Sequence, residues 1–382
     1  MQKIIVNRER LARTFADLVR IDSVSREEKR ICRDLETRLT ALGVHTFVDA
    51  AGGRVGGDTG NLIGHFQGNR AVDPLLLSAH MDTVEPGRGI EPVLEKGVFS
   101  SAGETILGAD DKAGLSIILE ALQCLQEAEA SCGPLEIVFS ICEEIGLKGA
   151  KNLDFGKLSA RIGYVLDTRN PDVIITRAPA LNRIRLQIDG KAAHAGAEPE
   201  KGVNAISLAG RAIGRLALGR IDDETTCNLG LIEGGLATNI VPPRVVVHGE
   251  VRSHDKSKLE AATENIVHAF QTAVEEFEET DTGCRPDLSV EVRLDFDLLR
   301  IVEDHMVVAL AYQAAANLNR KLYTATSGGG SDANVFARHG IVTGVLGTGC
   351  QKVHTIEEIV VLEDMARAAE LLIEIITIHA RA

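Results

Sequence analysis

Histidine and carboxylate side chains recur along the chain in short groups. They are His80 and Asp82 in S-A-H-M-D-T, Asp110 and Asp111 in G-A-D-D-K-A-G, the adjacent pair Glu143–Glu144, then Asp167 and His354. Imidazole and carboxylate donors without a cysteine pattern suit zinc or a similar divalent ion. Two residues apart in an extended segment, His80 and Asp82 point to one face, the arrangement in which a carboxylate orients a ligating imidazole. Adjacent carboxylates such as Glu143 and Glu144 repel each other at the end of a buried strand unless a cation is present. Three carboxylates and two histidines are enough for two ions sharing a bridging aspartate, and the spare glutamate is then free to act as general base on a metal-bound water. Each group alone has a plainer explanation. Asp110 and Asp111 suit a helix start, Asp82 and Asp167 suit strand ends, and His354 suits a surface loop. It is their joint placement at predicted strand ends, where open α/β sheets carry their sites, that favours chemistry.

The elements that would place them read as follows. Arg8–Arg20 has helical apolar spacing, and Ser25 with Glu28 reads as a capping box for a helix ending near Gly43. A strand is expected at Val44–Val48, a loop through Gly52–Gly60 and a strand at Asn61–Phe66. Continuous apolar runs at Pro74–Ala79, Leu135–Ile141 and Ile162–Leu166, with a helix bearing Leu115, Ile118, Leu119, Leu122 and Leu125, predict a partly parallel buried sheet. Near Leu181 the pattern changes to strands with one wet face: strand, helix (Asn204–Leu218), two strands, helix (Lys256–Phe277), strand (Leu288–Leu294). That order predicts a small α+β sandwich. After Phe296 the α/β character returns, with a helix His305–Leu318, a strand Lys321–Thr326, a glycine loop, a helix near Asp332–Arg338, a strand Ile341–Leu346 and a helix Glu363–Ala380. The expected domains are 1–180 with 297–382, interrupted by 181–296.

With 382 residues the chain is long enough for two domains, and its 45% hydrophobic and 25% charged content is that of a globular protein. The net charge of −14 and an aromatic content of 3% without tryptophan argue against a nucleic-acid partner. No stretch reaches the ~20 apolar residues of a membrane span, and Met1–Leu18 lacks a signal-peptide core. Seven cysteines, an odd number with no C-x-x-C, fit a reducing cytoplasm.

Taken together, S-A-H-M-D-T-V, G-A-D-D-K-A-G, S-I-C-E-E-I-G-L-K-G-A, G-K-A-A-H-A-G, G-G-L-A-T-N-I-V-P and G-E-V-R-S resemble the M20 family of metallopeptidases, and within it the peptidase T-like (tripeptide aminopeptidase) group. The resemblance implies a mixed-sheet α/β zinc-exopeptidase domain with an inserted ferredoxin-like lid and dimerisation domain. It implies two divalent ions, zinc with cobalt or manganese as alternatives. His80, Asp110, Glu144, Asp167 and His354 would be ligands, with Asp110 bridging, Asp82 orienting His80 and Glu143 as general base. Asp111 is not a ligand on this mapping. His194 resembles a lid histidine that reaches a neighbouring subunit's site, and Asn239 and Arg252 resemble polar lid residues near the substrate carboxylate. Gly328, Gly329 and Gly330 precede a helix and offer backbone N–H groups to a carboxylate. The implied activity is removal of the N-terminal residue from short peptides by a cytoplasmic homodimer.

Carboxypeptidase, dipeptidase and N-acyl amino acid amidohydrolase activities share the same metal chemistry and are the alternatives. Two readings of other classes are disfavoured. A serine hydrolase built on Ser331 lacks the acid that should stand between Asp332 and His354. A non-catalytic dimeric binding protein has no reason to retain a full ligand set.

Overall fold

The computed structural model describes residues 4–278 and 283–381. The chain divides into two compact units: Met1–Arg177 with Leu299–Ser327 and Ser331–Ala382, and Ala178–Leu298 with Gly328–Gly330. The change of unit thus falls at residue 178, a little before the change in strand pattern near Leu181.

The larger unit is built on a nine-stranded mixed sheet in the order His45–Val48, Leu62–Phe66, Leu135–Ser140, Leu75–His80, Ile162–Thr168, Val342–Gly347, Val173–Ala178, Leu299–Arg300, with Tyr323–Thr326 pairing beside Val173–Ala178. The four central strands run parallel, and the first two edge strands antiparallel. Every residue of Leu75–His80 and Leu135–Ser140 is buried, which is why both read as largely apolar runs, and the one charged carboxylate within them, Glu136, accepts the N–H groups of Ser159 and Ala160. The helix Ala109–Glu127 is buried along nearly its whole length, between the sheet and the helices Arg8–Val19 and Leu362–His379. Because parallel strands finish on one side of a sheet, the residues after His80, Ser140 and Leu166 emerge together.

A second, four-stranded antiparallel sheet of very short strands orders Cys350–Gln351, Ile359–Val361, Val98–Ser101 and Pro92–Glu95. Strands of 2–4 residues carry too few side chains to show a period, and the sequence reading does not contain them. This sheet matters for the site, since it ties the segment bearing His354 to the segment preceding Ala109.

The smaller unit is an antiparallel sheet in the order Gly219–Arg220, Thr225–Gly234, Arg244–Ser253, Ala180–Asp189, Asp287–Phe296. The helices Ala205–Ile213 and Lys256–Glu275 share one core with Ile184, Leu186 and Ile188. Its four long strands lie in the order second, third, first, fourth, the ferredoxin-like arrangement.

Several local expectations are corrected. The glycine-rich 52–60 segment begins as a short helix, Ala51–Val55, ended by Gly56 at φ +72°, a left-handed position suited to glycine. The helix expected to run to Leu218 stops at Ile213. The expected capping box does not form. The helix begins at Lys29 with no side-chain cap, because Ser25 and Glu28 both turn to partners far along the chain.

Phe15 is fully buried and meets Phe99 edge-on with ring centroids 4.9 Å apart. Phe15→Ala should lower the stability of the larger unit by about 3–5 kcal/mol in a urea titration. A loss within error of zero would contradict the assigned core.

Candidate metal centre

Register places His80 opposite Ser140 on neighbouring parallel strands. Just beyond them the chain turns twice, at Met81–Asp82 and at Cys142–Glu144. Asp82 fastens these turns together. Its fully buried carboxylate accepts the backbone N–H of Glu143 at 2.9 Å and of Glu144 at 3.2 Å, and the Ser25 hydroxyl at 2.6 Å. The short contact of the His80 ring is to the backbone carbonyl of Asp82, 2.9 Å from Nδ1, while the Asp82 carboxylate stands at 3.5 Å. The carbonyl therefore orients the ring, and the carboxylate is committed mainly to the glutamate turn. With Nδ1 donating, Nε2 faces Asp110.

Asp110 lies between two imidazoles. His80 Nε2 is 3.1 Å from Oδ1 and His354 Nε2 is 3.3 Å from Oδ2. His354 Nε2 is also 2.8 Å from Glu144 Oε1. One ligand atom each from His80, Asp110 and Glu144 fall within 4.8 Å of one another. Asp110 and Asp111 have non-helical backbone angles, so the regular helix starts after them. Asp111 accepts from the backbone N–H groups of His80 and Gly114, an internal brace.

Negative charge accumulates here. Burial raises the proton affinity of Glu143, Asp167 and Asp111 well above the usual carboxylate range, and nearby carboxylates add to the effect. Asp110 responds oppositely: burial disfavours its charge, but hydrogen bonds from His354 and His80 outweigh it and hold its carboxyl low. Hydrogen bonding to Asp110 and then Glu144 pushes His354 up to about 10. Asp332 is pushed up to about 6 by burial and accepts the Ser140 hydroxyl at 2.5 Å. Oxygen and imidazole donors packed this closely, each carboxylate made costly by its neighbours, fit a divalent cation.

Three buried groups escaped the sequence reading. Glu28, pushed up to about 7 by burial and by Asp82, accepts the Cys142 N–H at 2.9 Å and supports the glutamate turn from behind. Glu358 accepts three backbone N–H groups, from Leu107, Gly108 and Asp110. Asp332 is the third. Only the Ser25–Glu28 spacing gave any signal, and a capping box has the same spacing.

The smaller unit carries the other candidates. His194 bridges to Ile240, and the Ala195 N–H donates to the Asn239 carbonyl, so His194 and Asn239 lie on adjoining segments. His194 Nδ1 accepts the N–H groups of Gly196 at 3.2 Å and Ala197 at 3.1 Å. That fixes the tautomer with the hydrogen on Nε2. Arg252 Nε donates to Glu250 at 2.8 Å. Gly330 has a packing reason to be glycine, since a Cβ there would come within 2.4 Å of the Phe296 ring. A Cβ on Gly329 would meet Arg252 Nη1 only at 3.8 Å, and one on Gly328 would meet nothing. The Ser331 N–H donates to Asn334 at the start of the helix Asp332–Arg338, a capping role in place of a nucleophile.

A mixed α/β sheet with a carboxylate–imidazole cage at its parallel strand ends, interrupted in sequence by a ferredoxin-like unit, defines a metallo-exopeptidase. Residues 180–278 match the peptidase dimerisation domain of M20 enzymes, and residues 61–191 match peptidase family M28. The chain is 42% identical over 373 residues to the uncharacterized protein YqjE of Bacillus subtilis, covering 97% of this chain and 99% of that one. Its structure is similar to that of aminopeptidase PepT from Bacillus cereus, with a TM-score of 0.88 at 41% identity, covering 99% of this chain and 100% of the other. It is also similar to a Staphylococcus aureus tripeptidase, with a TM-score of 0.91 at 36% identity and the same coverage. The chain belongs to the M20 metallopeptidase family, in its peptidase T-like group.

The raised groups set a pH dependence. Glu143, Asp167 and His354 hold protons more tightly when folded than when unfolded. Their contribution to stability is complete below the unfolded values, 4.5, 3.8 and 6.5, and is lost as pH rises through the folded ones. Asp110 acts in the opposite sense, only as pH falls below 3.8. The urea midpoint of metal-free protein should therefore fall between pH 4.5 and about 10, and a divalent cation should flatten the decline. A midpoint rising over that range would contradict the cage electrostatics.

Proposed function

We propose that the protein removes the N-terminal residue from short peptides, tripeptides in particular. The observation that carries this reading is the Asp110 carboxylate, each of whose oxygens faces one of two imidazoles. His80 and Asp167 on one side, and Glu144 and His354 on the other, would join Asp110 in holding two divalent ions, zinc with cobalt or manganese as alternatives. When bound, such ions supply Lewis-acid polarisation of the scissile carbonyl and acidification of water. Glu143 takes the proton of the attacking water and passes it to the leaving amine, a task suited to a buried carboxylate with raised proton affinity. Asp82 holds Glu143 and Glu144 by their N–H groups. The Bacillus cereus and Staphylococcus aureus relatives are an aminopeptidase and a tripeptidase, which supports the substrate class.

The 181–296 domain acts as lid and dimerisation module, and 1–180 with 297–382 as the catalytic domain. His194 donates Nε2–H to the oxyanion developing in a neighbouring subunit's site. Asn239, Arg252 and the backbone of Gly328, Gly329 and Gly330 fix the far carboxylate of the peptide. Exposed Leu231, Ile232 and Leu236, on and just after the strand Thr225–Gly234, favour a symmetric homodimer. Six of the seven cysteines are buried free thiols, which supports a cytoplasmic setting. No helix of the described residues is long and apolar enough to cross a membrane.

A chelator should abolish hydrolysis and zinc or cobalt restore it. Glu143→Gln should keep its metal while turnover falls about 100-fold or more, whereas His80→Ala should lose metal. A mixed tripeptide should release its N-terminal residue first. Release of the C-terminal residue would favour a carboxypeptidase, and hydrolysis confined to dipeptides or N-acyl amino acids would favour those alternatives.

Mixing His194→Ala with Glu143→Gln under conditions of subunit exchange should restore activity, because one site in each mixed dimer is then complete. No recovery despite demonstrated exchange would exclude action across subunits.

A further inference from the structure

The loop that delivers Asp110 is short of backbone partners. Gly108 is left-handed at φ +70°, and Asp110 and Asp111 lie outside helical angles, so the N–H groups from Leu107 to Asp110 cannot be satisfied by a regular helix. Buried N–H groups need acceptors. One carboxylate supplies them for three of these four groups. Glu358, 1% exposed, accepts Leu107 N–H at 2.9 Å and Gly108 N–H at 2.8 Å on Oε2, and Asp110 N–H at 3.0 Å on Oε1. Glu358 follows His354 by four residues, and its own N–H is bonded to the Thr355 carbonyl. The strand Ile359–Val361 immediately after it pairs with Val98–Ser101. The same short segment thus carries His354 and grips the backbone of Asp110, the residue that His354 faces.

We propose that Glu358 is a positioning residue that sets the Asp110 carboxylate between His80 and His354 and so fixes the affinity and geometry of the cation site. The proposal rests on the reading of Asp110 as a cation ligand. Both oxygens of Glu358 act as acceptors here, Oε2 for two N–H groups and Oε1 for the third, a pattern that a carboxylate can meet and an amide cannot. A glutamine of equal size cannot replace it. Its NH₂ group must oppose either the Asp110 N–H or the Leu107 and Gly108 pair, and the loop has to shift at the point where the ligand is attached.

The test compares wild type, Glu358→Gln, Glu358→Asp and, as a control on the same loop, Glu357→Gln, whose exposed side chain pairs with Lys352. Zinc affinity is measured by chelator competition, and the absorption spectrum of the cobalt form reports ligand geometry. Melting of the metal-free proteins reports folding alone. Glu358→Gln should bind zinc about 10–100-fold more weakly, with an altered cobalt spectrum and a lower kcat at little-changed KM. Glu357→Gln should match wild type. A folded Glu358→Gln or Glu358→Asp with wild-type zinc affinity and cobalt spectrum would overturn the proposal. So would collapse of both variants without metal, which would assign Glu358 to folding alone. Wild type that binds neither ion would instead remove the cation-site reading itself, and this proposal with it.

Discussion

Crowding of carboxylates at one end of a parallel sheet is the constraint that the larger unit is built to satisfy. Parallel strands bring His80, the Glu143–Glu144 turn and Asp167 out on the same side, and their charges then raise one another's proton affinity. Asp110 is the exception, kept ionised by the two imidazoles it faces. The surrounding structure consists largely of acceptors aimed at backbone N–H groups: Asp82 on the glutamate turn, Glu28 on Cys142, Asp111 on His80, Glu358 on the Asp110 loop. The carboxylates that would hold cations stand in front, and a second set of buried carboxylates holds the loops behind them.

Much of this was legible in the sequence. Long buried strands declare themselves by largely apolar runs, and a His or Asp at their ends is then placed by the sheet. The alternation of Ile184, Leu186 and Ile188 with polar neighbours likewise announces the smaller α+β unit, because one face of that sheet is wet. Three things were not legible. Ser25 and Glu28 have the spacing of a capping box, and spacing does not tell whether a side chain turns to its own helix or to Asp82 and Cys142. The four-stranded sheet has strands too short for any period. The Glu358 contact joins residues as many as 251 apart, and a lone glutamate carries no mark of its partners.

The division of labour along the chain follows from these structures. Buried strands and the loops that follow them deliver the cage, whereas among the candidates for substrate contact only Arg252 sits on a regular strand, and His194 and Asn239 lie at turns of the smaller unit, His194 held by the N–H groups of Gly196 and Ala197. Turns tolerate change more readily than buried strands. Such a layout allows substrate preference to vary among proteins of this architecture while the metal chemistry stays the same.

The free thiols have a consequence of another kind. Cys32, Cys124, Cys132, Cys142 and Cys350 are buried in the larger unit and Cys227 in the smaller, and burial raises the pKa of each. A buried thiol becomes reactive only when its surroundings open. The molecule therefore carries its own clocks: the rate at which each cysteine takes up an alkylating label measures how often that part of the chain breathes, and the reading for Cys227 is separate from the reading for the other five.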